Sequence, residues 1–389
     1  MMKASDSNFT TNSRMCIYSQ RNLTKHVSRC VNYEFEDLIC EIDDADLISP
    51  SFYRINQIKQ IVRKCENKLN LTCYLKPNIN RVHLKKNYDL FFALCQSPYD
   101  LLSLNAVDEW KKHCRISVCW IDEIWTAKLD IFKKYLPILS KFDYVILICS
   151  ESFHSVQDVV NCHCSCLPAG VDANCHCFCL PAGVDAIRFS PYPNPPFRCI
   201  DVYNMGRKSY VTHQSLLKMA EQKKIFYIFD TISQMDTDVY KEHRSLVSNI
   251  AKRSRYFIAN YGKINDINQT QGQAELGYRF FEGAASGTVM IGEAPDTDAF
   301  RKHFDWPDAV IHVPFDEPNI SEFLADLDSQ PERLENIRRN NVIQSLLRHD
   351  WVYRWKAVLE IVDLKPLPAL IDRENKLQKL AGLIDNRKF

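Results

Sequence analysis

The sequence has no apolar run long enough to cross a membrane. Its longest purely apolar stretches, such as YVILIC at 144–149, are strand length, far from the roughly 20 residues a spanning helix needs. Nor is there an excess of charge of either sign. The 49 Lys and Arg stand against 48 Asp and Glu, so no broad field favours a nucleic acid or an anionic membrane, and any anion must be held by a small local constellation. Residues 1–14 (MMKASDSNFTTNSR) lack the apolar core of a secretory signal and read as a loose tail. A soluble, cytoplasmic chain is expected, with at most peripheral membrane contact. A disulfide framework is not expected, although there are 16 cysteines. Ten of them are scattered singly (Cys16, Cys30, Cys40, Cys65, Cys73, Cys95, Cys114, Cys119, Cys149, Cys199), often in apolar runs where a reduced thiol behaves as a small buried hydrophobe.

What is present is an alternation. Short apolar runs take turns with segments of helical period, the pattern of an α/β layered fold. Strands are expected at MCIYS, DLICEI, LTCYL, YDLFFALC, ISVCWI and YVILICS in the first half. In the second half they are RCIDVYNMG, IFYIFDT, RYFIANY, GTVMIGEA and AVIHVPF. Helices are expected at VTHQSLLKMAEQ, DVYKEHRSLVSNIAKRS, LGYRFFEGAAS and ISEFLADLDS, then from PERLENIRRNNVIQSLLRHD through WVYRWKAVLEIV.

A chain of 389 residues exceeds the size at which one core usually stops growing. The boundary falls at SPYPNPPF, 190–197, where four prolines in eight residues make a stiff connector. The expected organisation is a tail at 1–14, an amino-terminal domain at 15–190, a linker at 191–197, a carboxyl-terminal domain at 198–362, and a final helix and tail at 363–389. Two Rossmann-like doubly wound domains facing a cleft, with ligands at the carboxyl ends of the strands, is the architecture this predicts.

Residues 161–173 and 174–186 are the same 13 letters except that Ser165 becomes Phe178. Zinc knuckles use Cys-x-x-Cys, whereas the spacing here is Cys-x-Cys-x-Cys. An extended chain would put Cys162, Cys164 and Cys166 on one face and His163 on the other. The reading preferred is a tandem duplication feeding the linker, one copy in the structural position and the other lengthening a loop, with no metal held.

Chemistry concentrates in AELGYRFFEGAASGTVMIGEAP, 274–295. Gly277 opens a helix whose first-turn N–H groups suit a phosphate. Glu282, followed by Gly283, Ala284 and Ala285, is a carboxylate that could accept from two vicinal hydroxyls of a ribose. The pattern fits equally a helix that packs Phe280 and Phe281 and turns Glu282 to water. In the first half, CWIDEIW places Asp122 and Glu123 between two tryptophans, an arrangement that suits sugar stacking with carboxylates on hydroxyls. SQRNLT after the first strand occupies the place where such domains approach acceptor and phosphate. His26, His83 and His154 read as ordinary.

The 274–295 run, with NMGRKSYVTHQSLL, LPAGVDAIRFSP and RHDWVYRW, resembles the carboxyl-terminal half of the group 1 (family-four, retaining) glycosyltransferases of GT-B fold over about residues 167–360. The resemblance implies an enzyme that moves a sugar from a nucleotide-sugar to a hydroxyl of a sugar, lipid or small molecule, retaining and without a bound metal or other cofactor. It implies Glu282 on the ribose, Gly277 before the phosphate-facing helix and Arg207 on the donor diphosphate, with Arg279 and Gly283 beside them. Two positions depart from the family. Its first glutamate, eight positions before the second, is here Ala274, which leaves Glu275 as the catalytic candidate. The lysine five residues after the arginine is here Thr212, which leaves Lys208 or Arg279 to supply the charge. A scaffold of the same fold without turnover is the alternative these departures suggest, and a sugar-nucleotide epimerase is a further possibility within the same fold.

Overall fold

The computed structural model describes residues 13–52, 79–165, 175–230 and 236–385. The expected strand LTCYL, at 71–75, lies outside the described residues. The chain divides into two compact units, Met1–Lys25 with Ile39–Leu180, and His26–Leu38 with Pro181–Phe389.

The first unit is built on a six-stranded, all-parallel sheet. Its spatial order is Asp46–Ile48, Met15–Tyr18, Tyr88–Cys95, Cys114–Ile121, Tyr144–Leu147 and His176–Cys179. Parallel strands are covered on both faces and so read as continuous apolar runs. In Tyr88–Cys95 every residue except Asp89 is buried. Phe91, Trp110 and Phe142 stack in sequence beneath the sheet, with ring centroids 4.7 Å apart at each step.

The second unit carries five parallel strands in the order Tyr227–Phe229, Ile200–Asn204, Ser254–Ile258, Val289–Gly292 and Ile311–His312. Numbered along the chain, that order is 2-1-3-4-5, a doubly wound arrangement whose direction reverses between the first and third strands. The expected helices form here as Tyr210–Glu221, Tyr240–Lys252, Tyr278–Ala285 and Ile320–Asp328. The long run after Pro331 breaks into Pro331–Arg348 and Trp351–Ile361. Asp350 makes the break: it caps the second helix by accepting from the Val352 N–H at 3.0 Å, and it also accepts from the Ala186 N–H at 2.9 Å. The closing helix Pro368–Asp385 packs on Pro331–Arg348.

One expected strand is corrected. DLICEI lies within a helix, Cys30–Asp43. Val31, Phe35, Leu38, Ile39 and Ile42 are all buried, at the i, i+4, i+7, i+8, i+11 spacing of one helical face. Glu34 and Glu36 are buried too, which breaks the polar face that would have betrayed the period. The first sheet's edge strand His176–Cys179 comes from the second repeat copy, while the first copy begins in the helix Phe153–Ser165.

His349 is enclosed by Phe281, Phe304 and Trp306, at 5.0, 4.9 and 5.9 Å between ring centroids. Burial, then the charge of Arg354, holds its pKa well below the usual histidine range, and the same causes push His303 down to about 4. Both rings are therefore neutral in the native state, whereas an unfolded histidine binds its proton near about pH 6.5. The unfolded chain takes up more protons between those values, so stability is complete above about pH 6.5 and falls as pH drops toward 4. Because His303 is partly exposed, a loss of about 1–3 kcal/mol between about pH 7 and pH 5 is expected. Urea midpoints at the two pH values check it; a slope that His303→Gln leaves untouched contradicts the assignment.

Candidate functional site

In open parallel sheets ligands sit outside the carboxyl ends of the strands, at the point where strand order reverses. In the second unit that point lies between the ends of Ile200–Asn204 and Ser254–Ile258. The loops that follow them meet. Arg207 Nη1 donates to Asn265 Oδ1 at 3.1 Å, and its Nη2 lies 3.6 Å from Asp266. The Arg207 side chain stays 45 % exposed, free to turn toward a ligand. Gly206 makes the turn ahead of it at φ 93° and donates its N–H to Asp230 Oδ1 at 2.8 Å. Lys208 Nζ is drawn back to the Gly206 carbonyl at 3.0 Å and to Asp230.

The third and fourth strand ends are joined by a close approach. Gly292 has φ 141°, and a Cβ there would stand 2.4 Å from the Ala259 carbonyl oxygen and 2.7 Å from Asn260 Oδ1. Without one, Asn260 Oδ1 accepts the Glu293 N–H at 2.8 Å and the Glu293 carbonyl accepts the Tyr261 N–H at 2.9 Å. The Gly262 N–H in turn donates to the Glu275 carbonyl at 2.9 Å, which brings the 274–277 segment to the same edge. Glu275 is buried, and its carboxylate accepts from Gln273 Nε2 at 2.5 Å.

Gly277 caps the helix Tyr278–Ala285 in extended geometry, and open space surrounds the position a Cβ would take. The first-turn N–H groups are thus reachable. Gly283 serves another purpose: a Cβ on it would meet Met290 Sδ at 2.7 Å and Phe257 Cδ1 at 2.9 Å, so its missing side chain lets the helix lie close on the sheet.

Glu282 is 1 % exposed. It faces neither water nor an open crevice, so neither sequence reading of its surroundings holds. Arg244 bonds Oε1, and Arg279, on the same helix, bonds Oε2. Burial alone would raise the Glu282 pKa, but Arg279 and then Arg244 outweigh it and hold the carboxyl below its usual range. Arg244 also grips Glu34, with Nε donating to Oε2 at 2.9 Å. Glu34 further accepts from the Asp185 N–H at 3.1 Å and from Trp351 Nε1 at 3.3 Å. The result is a buried chain Glu34–Arg244–Glu282–Arg279 that alternates in sign and opens to solvent only at Arg279, whose side chain is 30 % exposed. A carboxylate offers about four lone-pair sites, so Glu282 keeps acceptor capacity that a movement of Arg279 would uncover.

Thr212, at the family's lysine position, is buried. It donates to the Phe315 carbonyl at 2.6 Å and accepts from the Glu317 N–H at 2.8 Å, so that position fixes a loop and supplies no charge.

In the first unit, Asp122 accepts from Trp120 Nε1 at 2.8 Å and Glu123 from Trp125 Nε1 at 2.5 Å. Both indoles are buried. The expected stacking faces are therefore absent from this segment: each carboxylate satisfies the N–H of a core tryptophan, as a buried indole requires. Strand order in the first unit reverses elsewhere, beside Met15–Tyr18 and Tyr88–Cys95. There Gln20 Nε2 donates to Ser103 Oγ at 2.7 Å, and Asp100 Oδ2 accepts the Gln96 N–H at 2.8 Å. SQRNLT is thus the segment that the first sheet carries to its switch point.

Sequence reasoning missed Asn260, Tyr261 and Asn265. The signal was available for the first two, because the quoted strand RYFIANY ends in them, Asn265 following four residues on, and strand ends are where such sheets bind. Arg244 and Glu34 gave no comparable signal: Arg244 reads as an ordinary helix residue and Glu34 falls in a stretch assigned to no element until the tertiary structure brings them together.

Among the described residues no helix is long and apolar enough to cross a membrane, and no group of three or more His, Cys, Asp or Glu could hold a metal ion. Residues 236–360 match the family described as glycosyl transferase-like. The fold is that of GT-B glycosyltransferases of known structure. HepE of Anabaena in complex with UDP and glucose is 10% identical, covers 90% of this chain and 100% of its own, and superposes with a TM-score of 0.51. The same protein with UDP-glucose gives 11% identity, 90% and 99% coverage and 0.50. An alpha-glucosyltransferase, AGT, in complex with UDP also gives 11%, 90% and 99%, and 0.50. No curated protein matches the sequence.

Proposed function

We propose that the chain is a glycosyltransferase, a reading supported by the match over residues 236–360 and by the GT-B fold, and that it binds the diphosphate of a nucleotide-sugar at the carboxyl edge of the second unit's sheet. The observation that carries the reading is the switch point itself. There Arg207, half exposed, stands beside the Asn260–Asn265 loop, and the helix opened by Gly277 belongs to the same edge.

The roles follow from reach and charge. Arg207, with a planar and always charged guanidinium, clamps the diphosphate. The Gly277 helix end presents N–H groups to it. Arg279 exchanges Glu282 for the diphosphate, which frees Glu282 Oε2 for the ribose hydroxyls while Arg244 keeps the carboxylate oriented. Glu275 meets the donor sugar in place of the family's first glutamate. Arg207, Lys208 and Arg279 together offset the charge of the leaving diphosphate, so no resident metal is needed. Gly283 contributes by letting the helix seat on the sheet.

The finer reading is transfer to a hydroxyl of a glycan, lipid or small molecule, with retention, in the cytoplasm. The Ser19–Thr24 loop is the better candidate for the acceptor side than Asp122 and Glu123. UDP is the donor nucleotide to test first, since HepE and AGT were both captured with it.

Arg207→Ala should weaken UDP binding about 10- to 150-fold, the worth of a hydrogen bond to a charged group at about 1.5–3 kcal/mol. Its melting temperature should not change, because the side chain is half exposed. Titration calorimetry with UDP checks the affinity and a thermal unfolding scan the melting temperature; equal affinity in the variant refutes the site.

A further inference from the structure

The opposite, amino edge of the second unit's sheet holds a cavity of about 890 Å³, within the size range of sites for small ligands, about 300–1,000 Å³. We propose that it is a second anion site, taking a phosphomonoester carried on a flat apolar body. The inference does not depend on where the nucleotide-sugar binds.

Charge is the first argument. Three arginines line the cavity, Arg198, Arg255 and Arg338, against Asp201 and Glu335. Arg255 is matched: Nη1 donates to Asp201 Oδ1 at 2.7 Å and Nη2 bonds Asp328. Arg198 bonds carbonyls, Nη1 donating to Ser254 O at 2.7 Å and Nη2 to Ser286 O at 3.0 Å, which engages both terminal nitrogens without supplying a counter-charge. The Nε of Arg338 is buried with no hydrogen-bond partner among the described residues, and its guanidinium lies 3.7 Å from the half-exposed Glu335. Glu335 thus serves both guanidiniums, with Asp328, already bonded to Arg255, acting on Arg338 as well. Burial, then the neighbouring Arg338, holds the Arg198 pKa down to about 10 against the pull of Glu335, the direction that desolvation and a like charge both give. A phosphate supplies both the charge and the acceptors that a planar guanidinium fork fits.

Shape is the second argument. The proline-rich segment forms the rim and carries Tyr192 and Phe197 into the lining. Phe197 is 85 % exposed, an uncommon cost for a large ring unless something stacks on it. An anion with a ring attached would meet Arg198 and Arg338 with its phosphate and Phe197 with its body.

Titration calorimetry on the full chain with phenyl phosphate and with inorganic phosphate tests this. Phenyl phosphate should bind more tightly than inorganic phosphate, and Arg338→Gln should weaken both at least tenfold. Phe197→Ala, on a ring whose loss leaves the core untouched, should weaken phenyl phosphate and leave inorganic phosphate unchanged; it decides the matter should Arg338→Gln fail to fold. Saturating UDP, or Arg207→Ala, should leave phenyl phosphate binding as it is. Absence of phenyl phosphate binding, binding undiminished in both variants, or displacement by UDP overturns the proposal. None of those results touches the donor site except displacement, which would place phenyl phosphate at the carboxyl edge instead.

Discussion

Replacing Arg244 by methionine is expected to lower stability by about 3–5 kcal/mol, the cost of breaking a buried ion pair by removing one partner. Arg244 is the middle of the chain Glu34–Arg244–Glu282–Arg279, and the three inner side chains are almost fully buried. Its loss strands two carboxylates of unequal fate. Glu282 retains Arg279. Among the described residues Glu34 retains only the Asp185 N–H, the Trp351 indole and, at 3.8 Å, Arg188, too little to compensate a buried charge. Adding Glu34→Gln to Arg244→Met should recover part of the loss, because a buried ionic group replaced together with its partner is often close to neutral. Urea unfolding of the single and double variants measures both. A single variant that loses less than about 1 kcal/mol, within the range of exposed pairs, would show that the network is not a structural unit.

Trp351→Ala is expected to cost a similar amount, about 3–5 kcal/mol, through the transfer and cavity terms of a fully buried tryptophan. Trp351 is 1 % exposed, stacks on Phe35 at 4.4 Å and 16°, and donates to Glu34. Space for its ring is made by Gly183, where a Cβ would stand 2.6 Å from Trp351 Cε3. The ring thus joins three distant parts of the sequence: the His26–Leu38 segment, the end of the repeat and the helix after Asp350. Phe35→Ala removes one side of the same stack, so the double variant should fall short of the sum of the singles by at least about 0.5 kcal/mol. Urea midpoints of the three variants check it, and strict additivity would contradict the coupling.

Much of the second unit could be read directly. RCIDVYNMG, RYFIANY and GTVMIGEA are strands because a buried parallel strand is a continuous apolar run of fixed length. Gly277 marked a helix start because a residue without a Cβ leaves first-turn N–H groups open. Arg207 could be placed at a strand end from its position after NMG. DLICEI could not be read, since a helix with buried Glu34 and Glu36 shows no polar stripe. Asp122 and Glu123 were ambiguous for a related reason: an acidic pair between tryptophans looks the same in sequence whether or not it bonds the indoles beside it, as both do here.

The sequence by itself determined the alternation of strands and helices and the strand ends where a ligand can be met, because periodicity and chain length are local properties. Only the tertiary structure decided what surrounds Glu282, whose partner Arg244 is itself held by Glu34, since charges hundreds of residues apart pair only once the packing has excluded water around them. The repeat makes the same point in the fewest letters. His163 and Cys164 end a helix, while His176 and Cys177, the same two letters, begin an edge strand paired to Tyr144 and Val145. Two residues carry too little propensity to choose between those states, so the neighbouring strand chose for them.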